Sequence, residues 1–184
     1  MTDTTDVPLS AVDLRVAADH GQIYLYSVVL LVFDEEDDDD DDDDDDNPYL
    51  DALDDAVDSG RFVGACRGLI DLMTPGQWNS DTPMRVEVWA TEPAGDTDDW
   101  LHEVDVDLDV PDGRLVFEAS GGGAQIPLEI PANRYRVRVS GAGYTERGAA
   151  GADGDDYYRL RMWPRTTDTE PELRKYWSGW DGFA

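Results

Sequence analysis

Residues 104–110 read Val-Asp-Val-Asp-Leu-Asp-Val and decide the fold class. Apolar and acidic side chains alternate here with a period of two, which is the pattern of a strand with one buried face and one polar face. The alternation returns with arginine as the polar residue in residues 134–139, Arg-Tyr-Arg-Val-Arg-Val. Because the aspartates and the arginines have the same spacing, we expect the arginine rows to pair across strands with Asp105, Asp107 and Asp109. These rows are Arg134, Arg136 and Arg138 on one strand and Arg159 and Arg161 on another.

Short segments of strand-like composition continue on both sides of this stretch, separated by turn residues such as Pro75-Gly76 and Pro111-Asp112-Gly113. Their number and spacing predict a mostly β fold, an antiparallel β-sandwich or barrel of about eight strands. We expect the first two strands to form a hairpin. The predicted strands, in addition to the two above, are 12–17, 23–33, 68–72, 84–90, 114–119, 126–130 and 157–163.

One short helix is predicted between Asn47 and Gly60. Asn47 followed by Pro48 is a helix-start signal, and Ser59-Gly60 is a stop signal. Leu50, Leu53 and Val57 recur at helical spacing, so they predict the apolar side of this helix.

The charge of the chain is dominated by residues 34–46, a run of thirteen consecutive acidic residues within a protein of net charge −29. Like charges at this density repel one another and cannot be buried, so we predict a disordered, solvated loop over 34–47. The acidity argues against direct nucleic-acid binding and favours a basic partner. The alternative explanation is adaptation to a high-salt cytoplasm, in which case the charge says nothing about partners.

The length of 184 residues predicts one domain. We expect a flexible N-terminus over 1–10, a single β-rich domain over 11–164, and a C-terminal tail or short amphipathic segment over 165–184 that docks on the body or on a partner. Cys66 is the single cysteine, so it forms no intramolecular disulfide. The sequence shows no signal peptide, and its longest apolar stretch is too short to cross a membrane, so we expect a cytoplasmic protein.

Few features of the sequence indicate chemistry, and we predict no catalytic residue, cofactor or metal site. The two histidines, His20 and His102, belong to no catalytic motif. Residues 153–156 resemble a fragment of a calcium loop but lack its spacing, so a turn is expected. The arginines could instead form an anion site if they do not pair with aspartates; these are Arg134, Arg136, Arg138, Arg159 and Arg161.

The order of elements resembles the competence protein J family, small acidic inhibitors of a DNA-uptake nuclease. The resemblance covers about residues 20–163. It rests on the helix ending at Gly60, the strands that follow it, residues 126–131 (Ile-Pro-Leu-Glu-Ile-Pro), and a final strand starting at Asp156-Tyr157-Tyr158. It implies a non-enzymatic protein whose target is a nuclease, and it identifies no individual contact residue.

The sequence therefore predicts an acidic, non-enzymatic protein that neutralises a basic partner, a nuclease or nuclease toxin. The residues predicted to bind this partner lie in the acidic run and on the helix: Asp34, Glu35, Glu36, Asp37, Asp40, Asp46, Asp51, Asp54, Asp55 and Asp58. The alternative is a β-sandwich module that binds a small molecule or carbohydrate through exposed aromatic residues, with Trp78, Trp89, Trp100 and Trp163 as candidates.

Overall fold

The computed structural model describes residues 7–31, 47–66, 68–144 and 155–182. They form eleven strands and one α-helix, together with three short 3₁₀ turns at Val28–Leu30, Thr97–Asp99 and Ser178–Gly182. No helix among these residues is long and apolar enough to cross a membrane. The elements are β1 (Ser10–Asp19), β2 (Gln22–Ser27), α1 (Pro48–Asp58), β3 (Val63–Cys66), β4 (Leu69–Met73), β5 (Trp78–Val88), β6 (His102–Val110), β7 (Arg114–Ala119), β8 (Ile126–Glu129), β9 (Asn133–Ala142), β10 (Tyr157–Pro164) and β11 (Glu172–Lys175).

The strands form one continuous sheet in the order β11-β6-β9-β10-β5-β1-β2-β4-β3, with β7 on the other side of β2 and β8 beyond β7. The sheet curls into an open half-barrel, so the predicted closed sandwich or barrel of about eight strands is wrong in its closure and strand count. The mostly β class is confirmed. Most pairs are antiparallel, but β10 runs parallel to β5, a long-range pairing that local sequence patterns do not specify.

The pairing of β6 with β9 sets the aspartate row opposite an arginine row, as predicted. Asp105 lies opposite Arg138, Asp107 opposite Arg136, and Asp109 opposite Arg134. The apolar residues between them point to the other face and belong to the main core, which lines the inside of the curl. This core includes Val104, Val106, Leu108, Tyr135, Val137 and Val139.

Two predictions about strand arrangement need correction. β1 and β2 follow each other through a turn at His20-Gly21, but only one residue pair, Asp19 with Gln22, joins them. β2 instead pairs along its length with β4 and β7. The described segment after β2 is a 3₁₀ turn at Val28–Leu30 rather than a continuation of the predicted strand 23–33, whose last two residues lie outside the described residues.

The segment after α1, predicted as a single strand from residue 68, is a pair of antiparallel strands, β3 and β4. Gly68 has φ +79° in the connection between them. An added Cβ at this position would also lie 2.6 Å from the Leu30 side chain. Glycine therefore turns the chain here and leaves room for the 3₁₀ turn that precedes the acidic run.

The C-terminal residues extend the sheet by one edge strand and pack against it. β11 pairs with β6, and Trp180 in the last 3₁₀ turn is only 1% exposed. The Trp180 ring stacks on Phe62, with centroids 4.2 Å apart and planes 8° from parallel. The segment thus packs on the connection between α1 and β3.

Candidate protein-binding surface

Helix α1 begins as the sequence predicts. The Asn47 side chain accepts a hydrogen bond of 3.0 Å from the Tyr49 backbone N–H, and Pro48 occupies the first turn. Its buried side differs from the prediction, because Leu50 and Val57 are 52% and 49% exposed while alanines are buried.

The close approach of α1 to β3 explains why alanines are buried while Leu50 and Val57 are exposed. A Cβ on Gly64 of β3 would lie 1.8 Å from the Ala52 carbonyl oxygen, so the helix lies directly on the strand backbone. Ala52 and Ala56 are both 0% exposed at this contact. Only small residues fit between two backbones at this separation, and the larger apolar side chains are therefore turned toward solvent.

One of the four predicted helix carboxylates, Asp55, has a role inside the protein. It accepts hydrogen bonds from Arg61 Nη2 at 2.6 and 2.7 Å and from the Ala65 backbone N–H at 3.0 Å. These contacts tie the helix to the connection that follows it and to β3. Asp55 therefore fixes the orientation of α1, and its charge is already compensated.

The other three carboxylates, Asp51, Asp54 and Asp58, are exposed. Asp51 lies 3.6 Å from Cys66 Sγ. Within the described ranges, the Asp54 and Asp58 side chains form no ion pair or hydrogen bond. With Leu50 and Val57 they form the outer face of α1, a surface of uncompensated negative charge that also carries two exposed apolar side chains.

The acidic run lies between two described anchors, the 3₁₀ turn Val28–Leu30 and α1. All three residues of that turn are exposed, at 37%, 46% and 40%. Six residues predicted to bind the partner lie outside the described residues: Asp34, Glu35, Glu36, Asp37, Asp40 and Asp46. Along the chain these residues come immediately before α1.

The arginines of the sheet are neutralised by neighbouring carboxylates. The row Arg134, Arg136 and Arg138 pairs with the predicted aspartates. For Arg159 and Arg161 the predicted partners are wrong, because these arginines pair with Asp96 from the loop before β6. Arg138 donates to Asp105 at 2.7 Å and to Glu92 at 3.0 Å, and Arg136 donates to Asp107 at 2.8 Å. Every arginine in the described part of the chain forms at least one ion pair. The anion-site alternative loses its basis, because these guanidinium groups already have carboxylate partners.

Several of these pairs are buried on the outer face of the sheet, where the loop before β6 and the C-terminal segment cover them. Arg161 lies 2.7 Å from Asp96 and 3.5 Å from Glu103. Burial would raise the pKa of Asp96, yet hydrogen bonds and charge from Arg159 and Arg161 hold its pKa below the usual aspartate value. Burial would likewise lower the pKa of Arg138, but its carboxylate partners raise it above the usual arginine value.

The two histidines are not arranged for acid–base chemistry. His20 lies in the β1–β2 turn and is exposed. His102 is buried, and its Nε2 lies 2.6 Å from the Arg61 carbonyl oxygen while its Nδ1 accepts from the Trp177 N–H at 3.3 Å. These contacts place the proton on Nε2, and burial lowers the pKa of His102 to about 4. It is a neutral residue that holds the C-terminal segment in place.

A shallow cleft of about 620 Å³ lies on the outer face of β1, β5 and β10. Trp100 and Tyr157 form one wall, and Arg85 and Glu87 contribute polar groups. The Arg159 guanidinium lies 4.6 Å from the centroid of the Trp100 ring. Of the other tryptophans predicted to bind a ligand, Trp78 is 51% exposed, whereas Trp163 is only 8% exposed and lies against Arg138.

The same fold occurs in two solved structures. One is the crystal structure of ComJ, inhibitor of the DNA degrading activity of NucA, from Bacillus subtilis, with a TM-score of 0.52 and 15% identity over 86% of this chain and 97% of that chain. The other is crocagin biosynthetic gene J, with a TM-score of 0.50 and 16% identity over 85% and 98% of the two chains. No protein-family profile and no curated protein matches the chain. The predicted structural resemblance to competence protein J is confirmed, at the level of the fold.

Proposed function

We propose that this protein is a non-enzymatic, cytoplasmic inhibitor that binds and blocks a basic protein, a nuclease or nuclease toxin. The contact surface is the outer face of α1, and residues 34–46 attract the partner from a distance. The ten acidic residues predicted from the sequence divide between these two parts: Asp34, Glu35, Glu36, Asp37, Asp40 and Asp46 belong to the acidic run, and Asp51, Asp54, Asp55 and Asp58 belong to α1. Among them, Asp55 acts through its bonds to Arg61 rather than through direct contact.

The observation that carries this proposal is the segregation of charge. Residues 34–58 contain seventeen acidic residues and no basic one, which is more than half of the net charge of −29. The described arginines are meanwhile all paired with carboxylates of the chain itself. Long-range attraction by such a concentrated field accelerates association with a basic protein.

The structure of α1 adds what a charged run by itself lacks, a fixed surface. The helix is held by Asp55–Arg61 and by its contact with Gly64, so Asp51, Asp54 and Asp58 have defined positions. Exposed Leu50 and Val57 supply apolar area that a partner can desolvate, which is where binding energy usually concentrates.

The fold similarity supports the target class. ComJ is described as an inhibitor of the DNA degrading activity of NucA, and a nuclease must present a basic surface to its substrate. An acidic surface competes for that region by charge complementarity. We therefore include a nuclease target in the proposal, by analogy with ComJ.

The test measures DNA cleavage by the native lysate at low salt, with and without the purified protein. We expect wild type to suppress cleavage and the triple variant Asp51→Asn/Asp54→Asn/Asp58→Asn to need about tenfold more protein, because three contact charges are lost. The matched control Glu129→Gln/Asp155→Asn/Glu170→Gln removes three exposed carboxylates from other elements and should retain potency. Equal potency of the two triple variants would exclude α1 as the contact surface, and cleavage unaffected by excess wild type would contradict the inhibitor role.

The cleft beside Trp100 keeps a second candidate function open, binding of a small molecule or carbohydrate. Its aromatic wall and neighbouring polar groups are the combination that sugar rings require. A glycan panel read by tryptophan fluorescence tests it. A saturable change that disappears in Trp100→Ala would favour this function, and a flat response across the panel would remove it.

A further inference from the structure

Strand β1 has one free edge along most of its length. One side of the strand pairs with β5 from Ser10 to Asp19, whereas on the other side only Asp19 is bridged, to Gln22. In the described ranges no other strand pairs with this side of β1. A free strand edge presents unpaired N–H and C=O groups and is a template for another strand.

The direction of the backbone groups follows from the neighbouring ladder. The Trp89 N–H, directly after β5, donates to the Met162 carbonyl of β10. The backbone N–H and C=O groups of odd-numbered residues in β5 therefore point toward β10, and those of even-numbered residues point toward β1. The partners of the even-numbered residues on β1, such as Val12 and Leu14, are also even-numbered. Because backbone groups alternate along a strand, Ala11, Asp13 and Arg15 direct theirs to the free edge.

This edge is open to solvent. The Asp13 and Arg15 side chains are 77% and 62% exposed, and Val12 on the inner face is 37% exposed. Both side chains already form exposed ion pairs, Asp13 with Arg85 at 3.0 Å and Arg15 with Asp81 at 3.3 Å. Such pairs contribute little stability and can share a second partner.

We propose that two copies of the chain associate through this edge, with their β1 strands antiparallel and centred on Leu14. In this register Asp13 lies opposite the partner subunit's Arg15, and Arg15 lies opposite the partner subunit's Asp13. Leu14 lies opposite its own copy on the inner face, next to the exposed Val12. Cross-strand pairs of opposite charge stabilise a sheet, and like charges destabilise it.

The two neighbouring registers that leave the same backbone groups pointing at the partner strand are less favourable. One of them places Asp13 opposite the partner subunit's Asp13, and the other places Arg15 opposite the partner subunit's Arg15. The edge is therefore complementary to itself in one register. Because it carries one acid and one base, it offers no net charge to attract a basic protein, which favours a second copy as the occupant.

The salt dependence of this association is opposite in sign to that of the proposed inhibition. Each protomer has a net charge of −29, so two copies repel each other at low ionic strength. Raising salt screens this repulsion, as the screening length falls from about 10 Å at 0.1 M to about 3 Å at 1 M. Dimerisation should strengthen with salt, while binding of a basic partner should weaken.

Sedimentation equilibrium of the full chain at about 0.1 M and about 1 M NaCl tests the proposal with a charge-swap series. We expect a dimer that increases with protein and salt concentration. Asp13→Arg or Arg15→Asp alone should weaken it about tenfold, and Asp13→Arg/Arg15→Asp should restore it because both cross-strand pairs reform. Circular dichroism confirms that each variant is folded.

Two results would overturn the proposal. One is a monomer at all concentrations in high salt. The other is a double variant that remains as weak as the single variants, which would mean that the charges do not pair across the edge. If the single variants instead abolish capture of a basic protein while wild type stays monomeric, the edge binds that protein and not a second copy.

Discussion

Arg138 on β9 and Asp105 on β6 form a two-pronged ion pair, with Nε–Oδ1 and Nη2–Oδ2 distances of 2.7 Å. Their side chains are 1% and 4% exposed. Charges buried to this extent are tolerated only as a pair, because either partner left by itself would lose its hydration without compensation. Glu92 and the Trp163 ring complete the surroundings of Arg138.

Replacing Arg138 with Met should destabilise the protein by about 3–5 kcal/mol, because Asp105 is left as a buried charge with weaker compensation. The double variant Arg138→Met/Asp105→Leu should recover at least half of that loss. Urea unfolding gives both values, and Arg114→Met on the exposed pair with Asp112 is the control. A loss below about 1 kcal/mol for Arg138→Met would mean that the pair is hydrated in solution.

The free energy of unfolding should fall as pH rises from about 4 to about 7, because the buried Asp71 loses its proton over this range. Asp71 is 0% exposed, and burial raises its pKa from 3.8 to about 7, although a 2.7 Å hydrogen bond from Gln22 opposes this rise. The folded state therefore binds a proton more tightly than the unfolded state, and the advantage present below pH 4 is lost as pH passes through 7.

The variant Asp71→Asn keeps an acceptor for Gln22 and has no charge to bury. We expect it to match wild type near pH 4 and to be more stable at pH 8, by up to about 4 kcal/mol since each pKa unit corresponds to about 1.4 kcal/mol. Urea unfolding at both pH values measures this difference, with Asp54→Asn as an exposed control. A wild type that is as stable as the variant at pH 8 would contradict the assignment.

Substituting Gly64 with Ala should displace α1. The added Cβ would lie 1.8 Å from the Ala52 carbonyl, and backbone atoms cannot yield as a flexible side chain can. We expect a loss of about 1–3 kcal/mol in urea unfolding. Gly95→Ala meets no atom within 4 Å and should leave stability nearly unchanged. If both substitutions cost the same, the helix does not lie against β3 as described.

Deleting residues 34–46 should slow association with the basic protein that this protein inhibits, and it should flatten the salt dependence of the association rate. Dissociation should change little, because long-range charge acts on encounter more than on the bound complex. Surface plasmon resonance across a salt series measures both rates. An association rate unchanged at low salt would show that the run does not attract the partner.

Local patterns in the sequence were sufficient for the features that depend on local chemistry. The alternation in residues 104–110 and 134–139 predicted β6, β9 and the pairing of their aspartate and arginine rows, since both strands carry complementary charges at the same period. The Asn47-Pro48 start of α1 was predicted for the same reason, because capping involves neighbouring residues.

The features that the sequence did not predict depend on contacts between different elements of the fold. Leu50 and Val57 were assigned to the buried side of α1 by hydrophobicity, but Gly64 brings the helix so close to β3 that alanines occupy the contact. The inward role of Asp55 depends on Arg61, and the free edge of β1 depends on β2 pairing elsewhere. None of these follows from periodicity.

The parallel pairing of β5 with β10 has a consequence for synthesis of the chain. β5 ends at Val88, and its partner begins only at Tyr157, close to the C-terminal end of the sequence given. During translation one side of β5 must remain unpaired until β6 to β9 have emerged from the ribosome. Pairings this distant fold slowly and expose strand edges to aggregation. The dense negative charge of residues 34–58, which is made before β5, would repel nascent copies from one another during that interval.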